Sequence, residues 1–148
     1  MSFNISGFGF SVNLIASSTY PIGVQITEFA DDSDPLDIPS LQIGDVAMGL
    51  NGDMITWSKA NPIKITMGVI PQSNDDLTLS ILLAANRVGK GKQSARDVIT
   101  MVVGYPNGNF VTLIGGVITD GVPLSPVSNS GRLKTRTYNF SFESYVGV

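Results

Sequence analysis

Twelve carboxylates and nine cationic side chains make up the charged chemistry of this 148-residue chain, which contains no His and no Cys. The commonest general base and metal ligand is therefore missing, as are thiolate nucleophiles, thiolate metal sites and disulfides. Asp45 and Asp53 flank Asn51-Gly52, but a paired-carboxylate hydrolase needs two acids about 5 to 9.5 Å apart in a cleft. They read as turn-flanking acids, and no GxSxG element supports a Ser nucleophile. Asp31, Asp32, Asp34 and Asp37 offer hard oxygen ligands, yet the central Gly and terminal Glu of a Ca²⁺ loop are absent. That cluster reads as a solvated acidic loop or as a contact arm for a basic partner. Gly89-Lys90-Gly91-Lys92 lacks the glycine spacing and the following Ser or Thr of a phosphate loop, and it comes after a helix instead of opening one. Trp57 and Tyr105 could form a sugar platform, but a lone Trp in a strand reads as core. No enzyme activity, metal or cofactor is expected.

The charge is segregated. Up to Met54 there are seven acids and no base, so that part is −7, while the remainder carries nine bases against five acids and is +4. Two basic clusters stand out: Arg87, Lys90, Lys92 and Arg96, then Arg132, Lys134 and Arg136. Period 2 puts the second trio on one face of a strand. The acidic whole argues against tight non-specific nucleic-acid binding, so an acidic surface on another copy of the chain is the better partner.

The elements that must carry these residues are mostly strands. Hydrophobic content is 43% against 14% charged, with sixteen Gly and eight Pro, a composition of short strands and tight turns in one ordered domain over 1–148. Alternation predicts strands at 8–14, 24–29, 63–69, 98–103 and 133–145, with others at 110–114 and 117–119. The first two could pair as a hairpin. Residues 46–50 and 54–57 around Asn51-Gly52 read as a second hairpin with a type I′ turn. Residues 30–44, polar and holding two prolines, read as a projecting acidic loop. Asn74 as N-cap with Asp75 and Asp76 opens one helix to about Asn86, so apolar that it should lie buried on a sheet. No apolar run reaches eighteen residues and no leader pattern opens the chain, so no membrane association and a soluble, unprocessed product are expected.

The central block Asn51-Gly52-Asp53-Met54, the strand Ile63-Lys64-Ile65-Thr66-Met67 and the helix start Ser73-Asn74-Asp75-Asp76-Leu77, followed by Tyr138-Asn139-Phe140-Ser141-Phe142, resembles the tail tube proteins of long-tailed, contractile-tailed bacteriophages. The resemblance implies a mainly β fold, a sandwich or barrel with one flanking helix at about 74–86. It further implies hexameric rings that stack into a hollow conduit for DNA, with a neutral or negative inner wall and no catalytic residue. Sheath, tape-measure and baseplate proteins would be partners, the location the virion tail, and the place of assembly the host cytoplasm. A head-to-tail stack needs two complementary surfaces; Asp31, Asp32, Asp34 and Asp37 against Arg87, Lys90, Lys92 and Arg96, or against Arg132, Lys134 and Arg136, are the candidate interface residues. The alternative is a capsid or baseplate decoration, or a glycan-binding β module, with Trp57 or Tyr105 exposed in a groove.

Overall fold

The computed structural model describes residues 5–31 and 34–147. Ten strands and one helix are seen among them: β1 (Ser11–Ala16), β2 (Tyr20–Ile26), β3 (Leu36–Asp37), β4 (Gly44–Met48), β5 (Met54–Ser58), β6 (Ile63–Val69), α1 (Asn74–Asn86), β7 (Ile99–Gly104), β8 (Phe110–Gly121), β9 (Arg136–Phe142) and β10 (Ser144–Gly147). Eight strands run in the order β2-β1-β7-β8-β9-β6-β3, with β10 also on β8, and β4 and β5 pair only with each other. Every pairing is antiparallel. The mainly β, sandwich-like class with one flanking helix is the one expected.

The sheet folds over at β8. Its first half pairs with β7, its second half with β9, and Gly115-Gly116 mark the corner. Gly115 has φ +66°, and a Cβ on Gly116 would lie 2.3 Å from the Phe142 ring and 3.0 Å from the Ile99 carbonyl oxygen. Only glycine lets the two sheet halves approach so closely. The strands expected at 110–114 and 117–119 are thus one bent strand. Beyond β2 the chain crosses to β6, with a Phe29–Val69 bridge and the Ala30 N–H on the Gly68 carbonyl.

Between the sheet halves lie Val12 and Leu14 of β1, Ile65 and Met67 of β6, Met101 of β7 and Phe140 of β9, all at most 1% exposed. Period-2 alternation puts these side chains inside and their neighbours outside. The first strand starts later than expected because Gly7 to Phe10 form a turn, with Gly9 at φ +91° and the Phe10 N–H on the Gly7 carbonyl. Phe8 is left 91% exposed, while Phe10 packs against Phe29 with the rings tilted and their centroids 4.9 Å apart. Pro21 is tolerated because β2 is an edge strand.

Ser73, one residue ahead of the expected Asn74, caps α1: its Oγ accepts the Asp76 N–H at 3.1 Å. Leu79 and Leu82 face the core, whereas Leu77 and Ile81 are 62% and 48% exposed. The helix is half-embedded rather than buried all round, because its carboxylates take up part of the inward face. Asp75 accepts the Thr27 and Glu28 N–H groups at 2.8 Å, tying the helix start to the strand crossing. Within 30–44, Leu36–Asp37 forms β3 on the edge of β6, so that segment is fastened at its middle.

Candidate assembly surfaces

The hairpin of β4 and β5 has no counterpart in the body. Its register puts Val46 opposite Thr56 and Met48 opposite Met54 on one face, and Asp45 opposite Trp57 and Ala47 opposite Ile55 on the other. Both faces are therefore largely apolar. Val46, Met48, Met54, Ile55 and Trp57 are 47–67% exposed, and Leu50 at the tip is fully exposed. A two-stranded ribbon is marginal by itself, and a soluble protein rarely leaves such a run of apolar side chains in water. The expectation that Trp57 is a core residue is corrected: it is 47% exposed, and among the described residues its strand pairs with β4 alone.

The turn also differs from expectation. Gly52 has φ +91° but Asn51 does not enter the positive-φ region. The Gly49 N–H reaches the Asp53 carbonyl at 2.7 Å and the Gly52 N–H the Gly49 carbonyl at 3.0 Å. Such a three-residue loop ends in a glycine, where a type I′ turn would need two left-handed residues. Asp45 and Asp53 stand at opposite ends of the hairpin and do not form a carboxylate pair. At its base the Lys59 N–H bonds the Ile43 carbonyl and Asn61 Nδ2 the Gln42 carbonyl, both at 2.9 Å. These bonds hold the two legs of the arm together at its base.

Next to that base a groove of about 570 Å³ opens into the sandwich. Ile63, Val103, Leu113, Tyr105 and Tyr145 line it, and Lys64 is the one charged lining residue among those described. No sequence periodicity announced this opening, since its lining comes from segments far apart in the chain: 38–42, 61–65, 103–113 and Tyr145.

The two basic clusters break up on folding. Arg132 and Lys134 lie outside the regular strand, which begins at Arg136, so the expected three-charge stripe does not form. Arg132 ion-pairs with Asp31 of the same chain at 3.1 Å. Arg136 is a core residue, 7% exposed, paired with Asp76 at 3.3 Å and donating to the Val122 carbonyl at 2.6 Å. Asp76 also accepts the Gln72 N–H and the Tyr138 hydroxyl, both at 3.0 Å. Burial, followed by the Asp76 hydrogen bond, pushes the Tyr138 phenol well above its ordinary range. Arg136 thus supports the fold, with its charge met inside its own chain. Gly89-Lys90-Gly91-Lys92 closes as a tight turn, with Gly89 and Lys92 bonded both ways, and Lys92 Nζ caps the Ala84 and Arg87 carbonyls at the end of α1. Asp34, Asp37, Arg87, Lys90, Arg96 and Lys134 remain on the surface; Asp32 lies outside the described residues.

A buried hub escaped the sequence reading. Asp97, 2% exposed, accepts the Ser18 and Thr19 N–H groups at 2.7 and 3.0 Å, the Thr19 hydroxyl at 2.5 Å and Asn86 Nδ2 at 2.8 Å. Burial by itself would raise its carboxyl, but these donors outweigh that and hold it below the ordinary range. The hub fastens the β1–β2 turn to the end of the helix.

Comparison with known proteins agrees with the fold and with the tail apparatus. A chain in the six-fold symmetrised baseplate of the anti-feeding prophage superposes with TM-score 0.56 at 13% identity, covering all of this chain and 97% of the other. A chain in the sheath/tube terminator of the PVC extracellular contractile injection system gives 0.56 at 14%, over 100% and 99%. The sheath-tube complex of the same system gives 0.55 at 13%, over 100% and 93%. At such identities the likeness is one of fold. No curated protein matches in sequence. A family model does match, over residues 3–146, and its description names a tail fiber protein where the sequence resemblance pointed to a tail tube. With 3–146 matched, the chain belongs to the family described as tail fiber protein gp32.

Proposed function

We propose that the chain is a structural subunit of a phage tail tube, which assembles with copies of itself into stacked six-membered rings around a conduit for DNA. The carrying observation is the β4–β5 hairpin, apolar on both faces and left exposed by the described residues of its own chain. An arm of that kind is explained by a partner. The likeness of fold to chains in contractile injection tube structures supports the reading. So does the outer face of β6, β9 and β8, where Thr66, Thr119, Asn139 and Ser141 lie between a single Lys64 and Asp120. Such a near-neutral wall does not hold phosphates and suits a bore. The exposed Asp34 and Asp37 and the exposed Arg87, Lys90 and Arg96 provide opposite charges for contacts between copies. Sheath, tape-measure and baseplate proteins are the further partners of such a subunit in a virion tail.

A baseplate or capsid decoration that binds glycans is the second reading, favoured by the exposed Trp57 and by the two tyrosines of the groove. Negative-stain microscopy of the purified protein separates the two. Rings or tubes with a central hole are expected for a tube subunit; monomers persisting at high concentration, with a sugar-dependent change in Trp57 fluorescence, would favour the module.

A further inference from the structure

We propose that the groove beside β6 receives the β4–β5 tip of a second copy, a contact that rests on the self-assembly reading above. Each copy carries one apolar arm and one apolar groove at different places on its surface, the condition for head-to-tail association. The arm cannot fill its own groove. Residues 38–42 and 61–62, which lead into and out of the hairpin, line that groove, and the bonds of Lys59 and Asn61 hold the base together. Five-residue strands at about 3.3 Å per residue carry the tip roughly 15 to 20 Å away from it.

Charge selects the same partner. Asp45 and Asp53 are the only charged residues of Gly44–Ser58, and Asp53 adjoins the tip; among the described residues Lys64 is the only charged one lining the groove. Placing Leu50, Met48 and Met54 in the groove brings an acid from one copy toward a base from the other. The three tip residues Met48, Leu50 and Met54 are 67%, 103% and 63% exposed, so seating them in the groove covers apolar surface that a folded chain rarely leaves in water. One arm and one groove per copy propagate the contact through a ring or along a stack.

Because the chain has no cysteine, engineered thiols test the contact directly. Asp53→Cys protein is mixed with Lys64→Cys protein under mild oxidation, and Asp53→Cys with Ser18→Cys serves as the control pair. A mixed disulfide dimer, at least tenfold more abundant than in the control, is expected. Charge exchange gives a second readout in cysteine-free protein: Asp53→Lys and Lys64→Asp should each weaken association about tenfold, and an equimolar mixture of the two should recover it. Rings or tubes without the mixed disulfide and without charge-swap recovery would overturn the groove contact and leave the assembly reading standing. Monomers at every concentration, with neither effect, would overturn both.

Discussion

The β-sandwich body and the β4–β5 hairpin obey opposite rules. In β1, β6 and β9 the inward side chains are covered and, apart from the ion-paired Arg136, are aliphatic or aromatic: Val12, Leu14, Ile65, Met67, Tyr138 and Phe140 are at most 1% exposed. In β4 and β5 the apolar residues sit on both faces and remain in water. Folding of the single chain explains the first pattern, since burial of a Leu- or Phe-sized side chain stabilises by about 1.5 to 3 kcal/mol. It does not explain the second. The hairpin's composition is intelligible as half of an interface.

Substitutions in the two regions should separate along the same line. The largest loss of stability is expected from Arg136→Met, which leaves Asp76 buried without its cation; chemical denaturation should show about 3 to 5 kcal/mol. Restoration by the additional change Asp76→Asn would sharpen the assignment to the ion pair. Asp97→Ala should follow at about 3 kcal/mol, since four donors lose a charged acceptor. Asp97 also has a pH signature. Its folded pKa is lowered, so its contribution is fully present above the unfolded value of about 3.9 and is lost as pH falls through the folded value. Wild-type stability should therefore fall with acid in that window, and the Asp97→Asn variant should show a shallower fall in thermal melts. Gly116→Ala should cost about 2 to 3 kcal/mol, because the new Cβ meets a core ring and a backbone carbonyl.

The hairpin should respond in the opposite sense. Changing Met48, Leu50 and Met54 to Ser should alter the unfolding free energy of the monomer by about 0.5 kcal/mol or less, while association between copies is lost. A large loss of monomer stability would mean that the hairpin belongs to the body and would erase the contrast.

Much of the body was legible because alternation is a local signal. Ile63, Ile65, Met67 and Val69 face inward as their period requires, and the Ser73 to Asp76 run opens the helix within one residue of its expected cap. The hairpin was legible as a hairpin, yet its lack of a core was not, since apolar residues look alike in sequence whether they meet their own chain or another. What remained hidden depends on long-range packing. The groove is lined by segments as far apart as Ile38 and Tyr145. The Asp97 hub joins residues about 80 positions apart. Arg136 and Asp76, 60 positions apart, form a buried pair, although the charge pattern alone suggested that Arg136 was a surface cation.

Sedimentation velocity on wild-type protein and on the Met48, Leu50 and Met54 to Ser variant, at matched high concentration and with matching melting curves, tests the central claim most directly. Large species for the wild type and monomers for the equally folded variant are the predicted result. Equal assembly of both proteins, or a wild type that stays monomeric, would contradict it.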